Sequence, residues 1–321
     1  MTRILVTGGS GFVGSRLVEQ FSQREDLDVA ALVRTAPGKR VDRVKYYDFS
    51  DFSEIGADHV SLANVDVFIH LASRVHVMND TAVDPLAAFR EINVGHTLRL
   101  ADSAAAAGVK RFVFVSSVKV NGEGTVEGCP YKETDAPNPS DFYGISKREA
   151  EDGLRSIAAE TGMEVVIIRP VLVYGPGVKA NFESMMKWLQ KGVPLPLGAI
   201  HNRRSLVGLD NLVDMIRICV SHPAAANETF LVSDGEDVST TQLLRKLGNS
   251  LNKPARLIAV PEWLLVTGAS LLGKRSFSQR LCGSLQVDIT KARTLLGWQP
   301  VLSLDQALRT TAEHFMSEQN K

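Results

Sequence analysis

Cysteine is scarce. The 321 residues hold three, Cys129, Cys219 and Cys282, far apart, with no CxxC pair and no histidine at zinc-finger spacing. Neither a disulfide framework nor a structural metal is supported, and a reducing cytoplasm fits best. Charge of one sign is missing as well: 36 Lys and Arg balance 36 Asp and Glu. No net field gathers nucleic acid or an anionic membrane surface, so any bound anion must be held by a local site. Long hydrophobic runs are absent. The most apolar stretch, Trp263 to Leu272, is about half the ~20 residues a spanning helix needs and reads as a buried or interface helix, with no membrane span. Met1-Thr2-Arg3 runs straight into Ile4-Leu5-Val6, without the apolar segment and cleavage site of a signal peptide, which predicts a cytoplasmic protein.

What is present is the balance of an ordinary globular chain, 44% hydrophobic and 22% charged, long enough for one large domain with an appendage or for two. Short apolar runs recur at Ile4–Val6, Val29–Val33, Val67–Ile69, Phe112–Val115 and Val165–Ile168, each with the look of a strand buried on both faces. Helix-like stretches such as Ser15 to Arg24 and Leu86 to Ala107 separate them. This alternation predicts an α/β fold, a Rossmann-type doubly wound parallel sheet with its crevice at the strands' carboxyl ends. After Arg169-Pro170, the punctuation Gly175-Pro176-Gly177 and Pro194-Leu195-Pro196-Leu197-Gly198 marks domain crossings. A helix from Asp210 to Val220 and a strand at Thr229–Val232 return to the sheet. Residues 1–175 plus about 205–235 therefore form the dinucleotide domain, and about 176–204 plus 236–321 a smaller, discontinuous α/β substrate lobe.

Thr7-Gly8-Gly9-Ser10-Gly11-Phe12-Val13-Gly14 lies between the first strand and the first helix. Gly8 suits the tight turn, Gly11 lets a pyrophosphate approach the helix N-terminus beside Phe12 and Val13, and Gly14 permits close helix–strand packing. In that context the motif is a strong sign of a dinucleotide site. An acidic residue at the end of the second strand would accept from the ribose hydroxyls of NAD; Arg34 stands there instead. A guanidinium can pair with a 2′-phosphate and stack on adenine, so NADP(H) is favoured and NAD(H) stays possible, Lys39 and Arg40 adding positive field. The alternative is an Arg34 that points to solvent and selects nothing.

Tyr143-Gly144-Ile145-Ser146-Lys147 sets a tyrosine and a lysine four apart on one helix face. A phenol is a poor base at neutrality unless a cation favours its phenolate, which Lys147 could do. Ser117, at the end of the Phe114-Val115-Ser116-Ser117 strand, could hydrogen-bond the reacting oxygen while Tyr143 moves the proton.

With His70-Leu71-Ala72-Ser73, Asn93-Val94-Gly95-His96-Thr97, Arg169-Pro170, Val173-Tyr174-Gly175-Pro176-Gly177 and the late Val287-Asp288 to Leu296-Gly297-Trp298-Gln299-Pro300, nearly the whole chain resembles the extended short-chain dehydrogenase/reductases, in their nucleotide-sugar epimerase/dehydratase branch. The resemblance implies that Leu71 and Ala72 flank a nicotinamide, that Asp48 and Phe49 sit by the adenine, that Lys147 also meets the ribose, and that Asn93 and Pro170 belong to the cofactor-binding set. It implies a nucleotide diphosphate held by Arg204, with Asn181 and Arg280 as further candidates, and Asn121 contacting the sugar where many relatives carry a tyrosine. Gly208 departs from relatives that often have histidine. The C-terminal half looks closest to UDP-4-keto-6-deoxy-N-acetylhexosamine 4-reductases and UDP-glucose 4-epimerase-like proteins. With Arg34, this favours NADPH-dependent reduction of a C4 ketone of a UDP-sugar. A UDP-hexose 4-epimerase with retained NAD is the alternative, and a non-enzymatic NADP-binding sensor a remote one. The lack of an Asp-Glu pair after Ser117 argues against a dehydratase. Relatives also imply a homodimer through helices near 86–107 and 143–161.

Overall fold

In the computed structural model, residues 1–35, 40–75, 84–271 and 281–319 are described. The strands are β1 (Thr2–Thr7), β2 (Leu27–Val33), β3 (Val44–Asp48), β4 (Val67–His70), β5 (Arg111–Val115), β6 (Glu164–Pro170), β7 (Leu172–Tyr174), β8 (Arg204–Gly208), β9 (Thr229–Val232) and β10 (Asp237–Val238). The helices are α1 (Phe12–Ser22), α2 (Pro85–Arg90), α3 (Thr97–Ala106), α4 (Phe142–Thr161), α5 (Ala180–Gln190), α6 (Leu209–Ser221), α7 (Thr240–Ser250), α8 (Glu262–Leu271), α9 (Thr290–Leu296) and α10 (Leu304–Gln319). A π-helical turn, Glu91–His96, joins α2 to α3.

Seven strands form one parallel sheet in the order β3-β2-β1-β4-β5-β6-β9. The winding reverses between β1 and β4, which opens a crevice at their carboxyl ends. Alternation along each strand sorts the core. Ile4, Val6, Val29 and Val113 face α1 and α6, through Leu17, Phe21, Leu212 and Ile216. Leu5, Ala30, Phe68, Phe112 and Phe114 face α3 and α4, through Leu100, Ala104, Ala150 and Leu154. The five short apolar runs read as strands all lie in this sheet. Only β3 was not legible, because it is an edge strand whose residues are half-buried or exposed and so carries no continuous apolar run.

β7, β8 and β10 make a second small sheet. Tyr174, Phe182, Met186, Leu206, Leu244, Leu247, Leu308 and Phe315 form the core of the smaller lobe over it. The Trp263 segment is helical but not buried. Leu265 and Val266 pack on the lobe core, while Trp263, Leu264 and Leu271 are exposed. No helix among the described residues is long and apolar enough to cross a membrane.

Candidate active site

The first turn is built around backbone that tolerates no side chain. Gly8 has φ +71°, and a Cβ there would lie 2.8 Å from the Ala72 nitrogen. A Cβ on Gly14 would collide with the Gly8 carbonyl oxygen. Gly11 caps α1 without a side-chain hydrogen bond, and no acidic residue occupies the helix's first turn. The amides at Phe12 and Val13 are therefore left to an external anion, favoured by the helix dipole. These features fit the pyrophosphate of a dinucleotide.

Beside this cradle, Thr7 Oγ1 contacts His70 Nδ1 at 2.7 Å and His70 Nε2 reaches Thr97 Oγ1 at 3.0 Å. Burial, with Lys147 and His96 nearby, pushes the His70 imidazole down to about 3, so the ring is neutral. The Leu71 amide donates to Thr7 O at 3.3 Å, which holds Leu71 and Ala72, both half-buried, over the glycine turn. Asn93 is buried in the π-helical turn. Its Oδ1 accepts from Ser73 Oγ (3.0 Å) and the Arg74 amide (2.8 Å), and its Nδ2 donates to Arg74 O and Ser146 Oγ, both at 3.0 Å. One side chain thus staples the strap after β4 to α4.

The Asp141 side chain caps α4 by accepting from the Gly144 amide at 2.7 Å. Tyr143 and Lys147 follow in its first turns. The half-buried Tyr143 has its phenol near the hydroxyls of Ser73 and Ser117, which favour its ionised form. Desolvation pushes it up to about 12, against those two hydroxyls. Lys147 is 2% exposed; its Nζ donates to Val115 O at 2.9 Å and lies 4.3 Å from the Phe114 ring centroid. Burial pushes this ammonium down to about 7, with Glu151 opposing the shift. Ser117, Tyr143 and Lys147 are thus brought together as expected. Ser73 joins them unforeseen, although it lies within the quoted His70–Ser73 motif.

Other residues fall as follows. Arg34 is exposed immediately after β2, and Asp48 is exposed at the end of β3. Phe49 donates its amide to Val33 O at 3.2 Å but packs its ring against Phe52 in the core. Pro170 ends β6, buried. Asn181 is exposed in the first turn of α5. Arg204 is half-buried, and its Nη1 donates to Gly283 O at 2.9 Å. Lys39 and Arg280 lie outside the described residues. Asn121, expected to contact the sugar, is 1% exposed, its Oδ1 accepting from Arg169 Nη1 (3.0 Å) and its Nδ2 donating to Lys132 O (2.9 Å). The buried guanidinium needs that acceptor. At Gly208 a Cβ would lie 3.1 Å from Ala307 Cβ, so α10 crowds the position where relatives often carry histidine. Among the described residues no His, Cys, Asp and Glu cluster could hold a metal.

The profile of the NAD dependent epimerase/dehydratase family matches residues 4–233. The chain is 47% identical over 319 residues, 99% of its own length and 97% of the other, to the UDP-glucose 4-epimerase of Vibrio cholerae. It is 27% identical over 331 residues, 97% of its length and 94% of the other, to the N-acetyl-alpha-D-glucosaminyl-diphospho-ditrans,octacis-undecaprenol 4-epimerase of Escherichia coli O157:H7. The structure of UDP-glucose 4-epimerase from Thermotoga maritima with UDP-glucose matches with a TM-score of 0.79 at 26% identity, covering 99% of this chain and 100% of that one.

Proposed function

Since the chain belongs to the NAD dependent epimerase/dehydratase family, a nicotinamide enzyme family, we propose that it interconverts the C4 epimers of a UDP-hexose while retaining its cofactor. The observation that carries this reading is the grouping of Tyr143 with Lys147, whose buried Nζ lies 6.0 Å from the phenol ring centroid and donates to Val115 O at the end of β5, near the hydroxyls of Ser73 and Ser117. The likeness to the Vibrio cholerae enzyme along nearly the whole chain supports the redox-neutral epimerase over the reductase expected from Arg34.

In this mechanism Tyr143 takes the proton of the C4 hydroxyl and returns it after the sugar has turned over, and Ser117 hydrogen-bonds the C4 oxygen throughout. Lys147, as an ammonium, lowers the cost of the phenolate. Gly8, Gly11 and Gly14 with the amides at Phe12 and Val13 hold the pyrophosphate, Leu71 and Ala72 the nicotinamide side, and Asp48 with the Phe49 backbone the adenine side. A bound nicotinamide supplies the hydride chemistry. Arg204 and Asn181 bind the sugar nucleotide's diphosphate. The helical layer of α2, α3 and α4 forms the contact of a homodimer.

The second reading, NADPH-dependent reduction of a UDP-4-keto-6-deoxy-N-acetylhexosamine, is favoured by one observation: an exposed guanidinium, and no carboxylate, follows β2. One experiment separates the two. Purified protein is incubated with UDP-glucose or UDP-N-acetylglucosamine without reductant, and in parallel with the 4-keto sugar and NADPH. Epimer formation without cofactor loss is expected; stoichiometric NADPH consumption with no epimer would replace the epimerase by the reductase.

A further inference from the structure

Glu151 lies one helical turn beyond Lys147 on α4 and is fully buried. Its carboxylate accepts from Arg169 Nε at 2.9 Å and Nη2 at 2.6 Å, from Ser116 Oγ at 2.6 Å and from Arg155 Nη2 at 3.2 Å. Arg169 is itself 2% exposed, and its remaining arm donates to Asn121 Oδ1. The Ser116 amide donates to Ile168 O at 2.7 Å. One carboxylate therefore joins α4, which carries Tyr143 and Lys147, to the end of β5, which carries Ser117. Through Arg169 it also joins β6 and the turn Val118–Val120. A buried ion pair is weak evidence for stability, because apolar side chains of similar volume often serve as well. What it does supply is fixed geometry between elements.

We propose that Glu151 is a positioning residue for the catalytic group: held by Arg169 and Ser116, it fixes the Ser117 strand end against the helix of Tyr143 and Lys147, and its charge keeps Lys147 an ammonium. The proposal rests on the reading of Tyr143 and Lys147 as the proton-transfer pair. The charges around Lys147 are few. Tyr143 and Glu151 face it from α4, and a neutral His70, with His96 beyond, from β4 and the π-helical turn. β5 offers only the Val115 carbonyl and the Phe114 ring. Arg169 and Arg155 face Glu151. Removing the Glu151 charge takes away the carboxylate that opposes the effect of burial on Lys147, so the change acts toward loss of the Lys147 proton.

The test uses the holoenzyme and two readouts. The ionisation of Lys147 is followed by NMR of 13Cε-labelled lysine, assigned with Lys147→Arg, and the pH profile of turnover is measured with UDP-glucose. Glu151→Gln moves the lysine titration and the alkaline limb of kcat to lower pH, and Glu151→Asp restores the titration but not kcat. Ser116→Ala, which removes a tie and no charge, lowers kcat by about tenfold to a hundredfold with the limb in place. An unmoved titration in Glu151→Gln, or a wild-type kcat in Ser116→Ala, overturns the proposal. If Glu151→Gln does not fold, Ser116→Ala and Glu151→Asp decide. A titration that moves in a protein turning over no UDP-sugar upholds Glu151 and defeats the epimerase reading; an unmoved titration in an active epimerase does the reverse.

Discussion

Tyr143 stands in a place that favours its neutral form, with the phenol pushed up to about 12 by burial. It can serve as a base only with positive charge beside it, which makes Lys147 a partner and not a neighbour. Tyr143→Phe is expected to lower kcat by about 10²- to 10⁴-fold with little change in sugar-nucleotide affinity, checked by steady-state kinetics and by calorimetry with UDP. His70 gives a second prediction. Its folded pKa of about 3 lies below the ordinary value of 6.5, so between those pH values the unfolded chain binds a proton that the native one does not. Stability falls as pH drops through this window, by on the order of 4 kcal/mol at its acid end. Urea midpoints taken from about pH 6 to pH 4 should fall more steeply in the wild type than in His70→Asn. At this scale the sequence was legible where chemistry comes from one local pattern: Tyr143 and Lys147 by spacing, Ser117 by its strand end. It was silent on Ser73 and Glu151. Their neighbours, Tyr143 for the first and Ser116 and Arg169 for the second, come from segments that only the fold brings together.

At the scale of elements, the site depends on helix beginnings and on one irregular turn. The π-helical turn Glu91–His96 aims Asn93 inward, an irregularity of the kind that marks functional positions in helices; its extra backbone residue leaves no trace in hydrophobic periodicity. The glycine turn, by contrast, was fully legible, because each glycine answers to a steric demand. Gly14→Ala would set its methyl against the Gly8 carbonyl oxygen. We expect it to lose dinucleotide binding and on the order of 2–4 kcal/mol of stability, seen in NADH fluorescence titration and thermal unfolding. At the end of β2, Arg34→Asp should shift preference from NADPH toward NADH by about tenfold or more if the guanidinium meets a 2′-phosphate; unchanged relative affinities would make Arg34 a solvent-facing residue that selects nothing.

Across the whole molecule, the sheet and the smaller lobe are tied by a few deep contacts. Trp298 is fully buried, and its Nε1 donates to Asp214 Oδ2 at 3.1 Å. It plugs the end of α9 into the core beneath α6. The late Leu296–Pro300 motif thus gains a structural explanation that the sequence could not supply. Trp298→Ala should cost about 3–5 kcal/mol, read from urea unfolding. Arg16 Nε and Gln20 Nε2 both donate to Asp210 Oδ1, at 2.7 and 2.6 Å, clamping α1 to α6. Gly153 lets Leu98 approach α4, since a Cβ there would lie 2.6 Å from the leucine methyls. The resulting layer of α3 and α4 is the face on which a homodimer should form, and sedimentation at low concentration should find two copies.

The order of the strands also bears on how the chain is made. Six strands of the large sheet are complete once Pro170 has left the ribosome, but β9, which covers the outer edge of β6, comes from Thr229–Val232. The segment that pairs with Tyr131 arrives only at Gln286 and Val287. Nascent chains therefore carry an open edge on β6 until Thr229–Val232 has been made, and the Tyr131 segment stays unpaired until Gln286 and Val287 follow. An unpaired edge of that kind is a template for wrong pairing until its partner strand arrives.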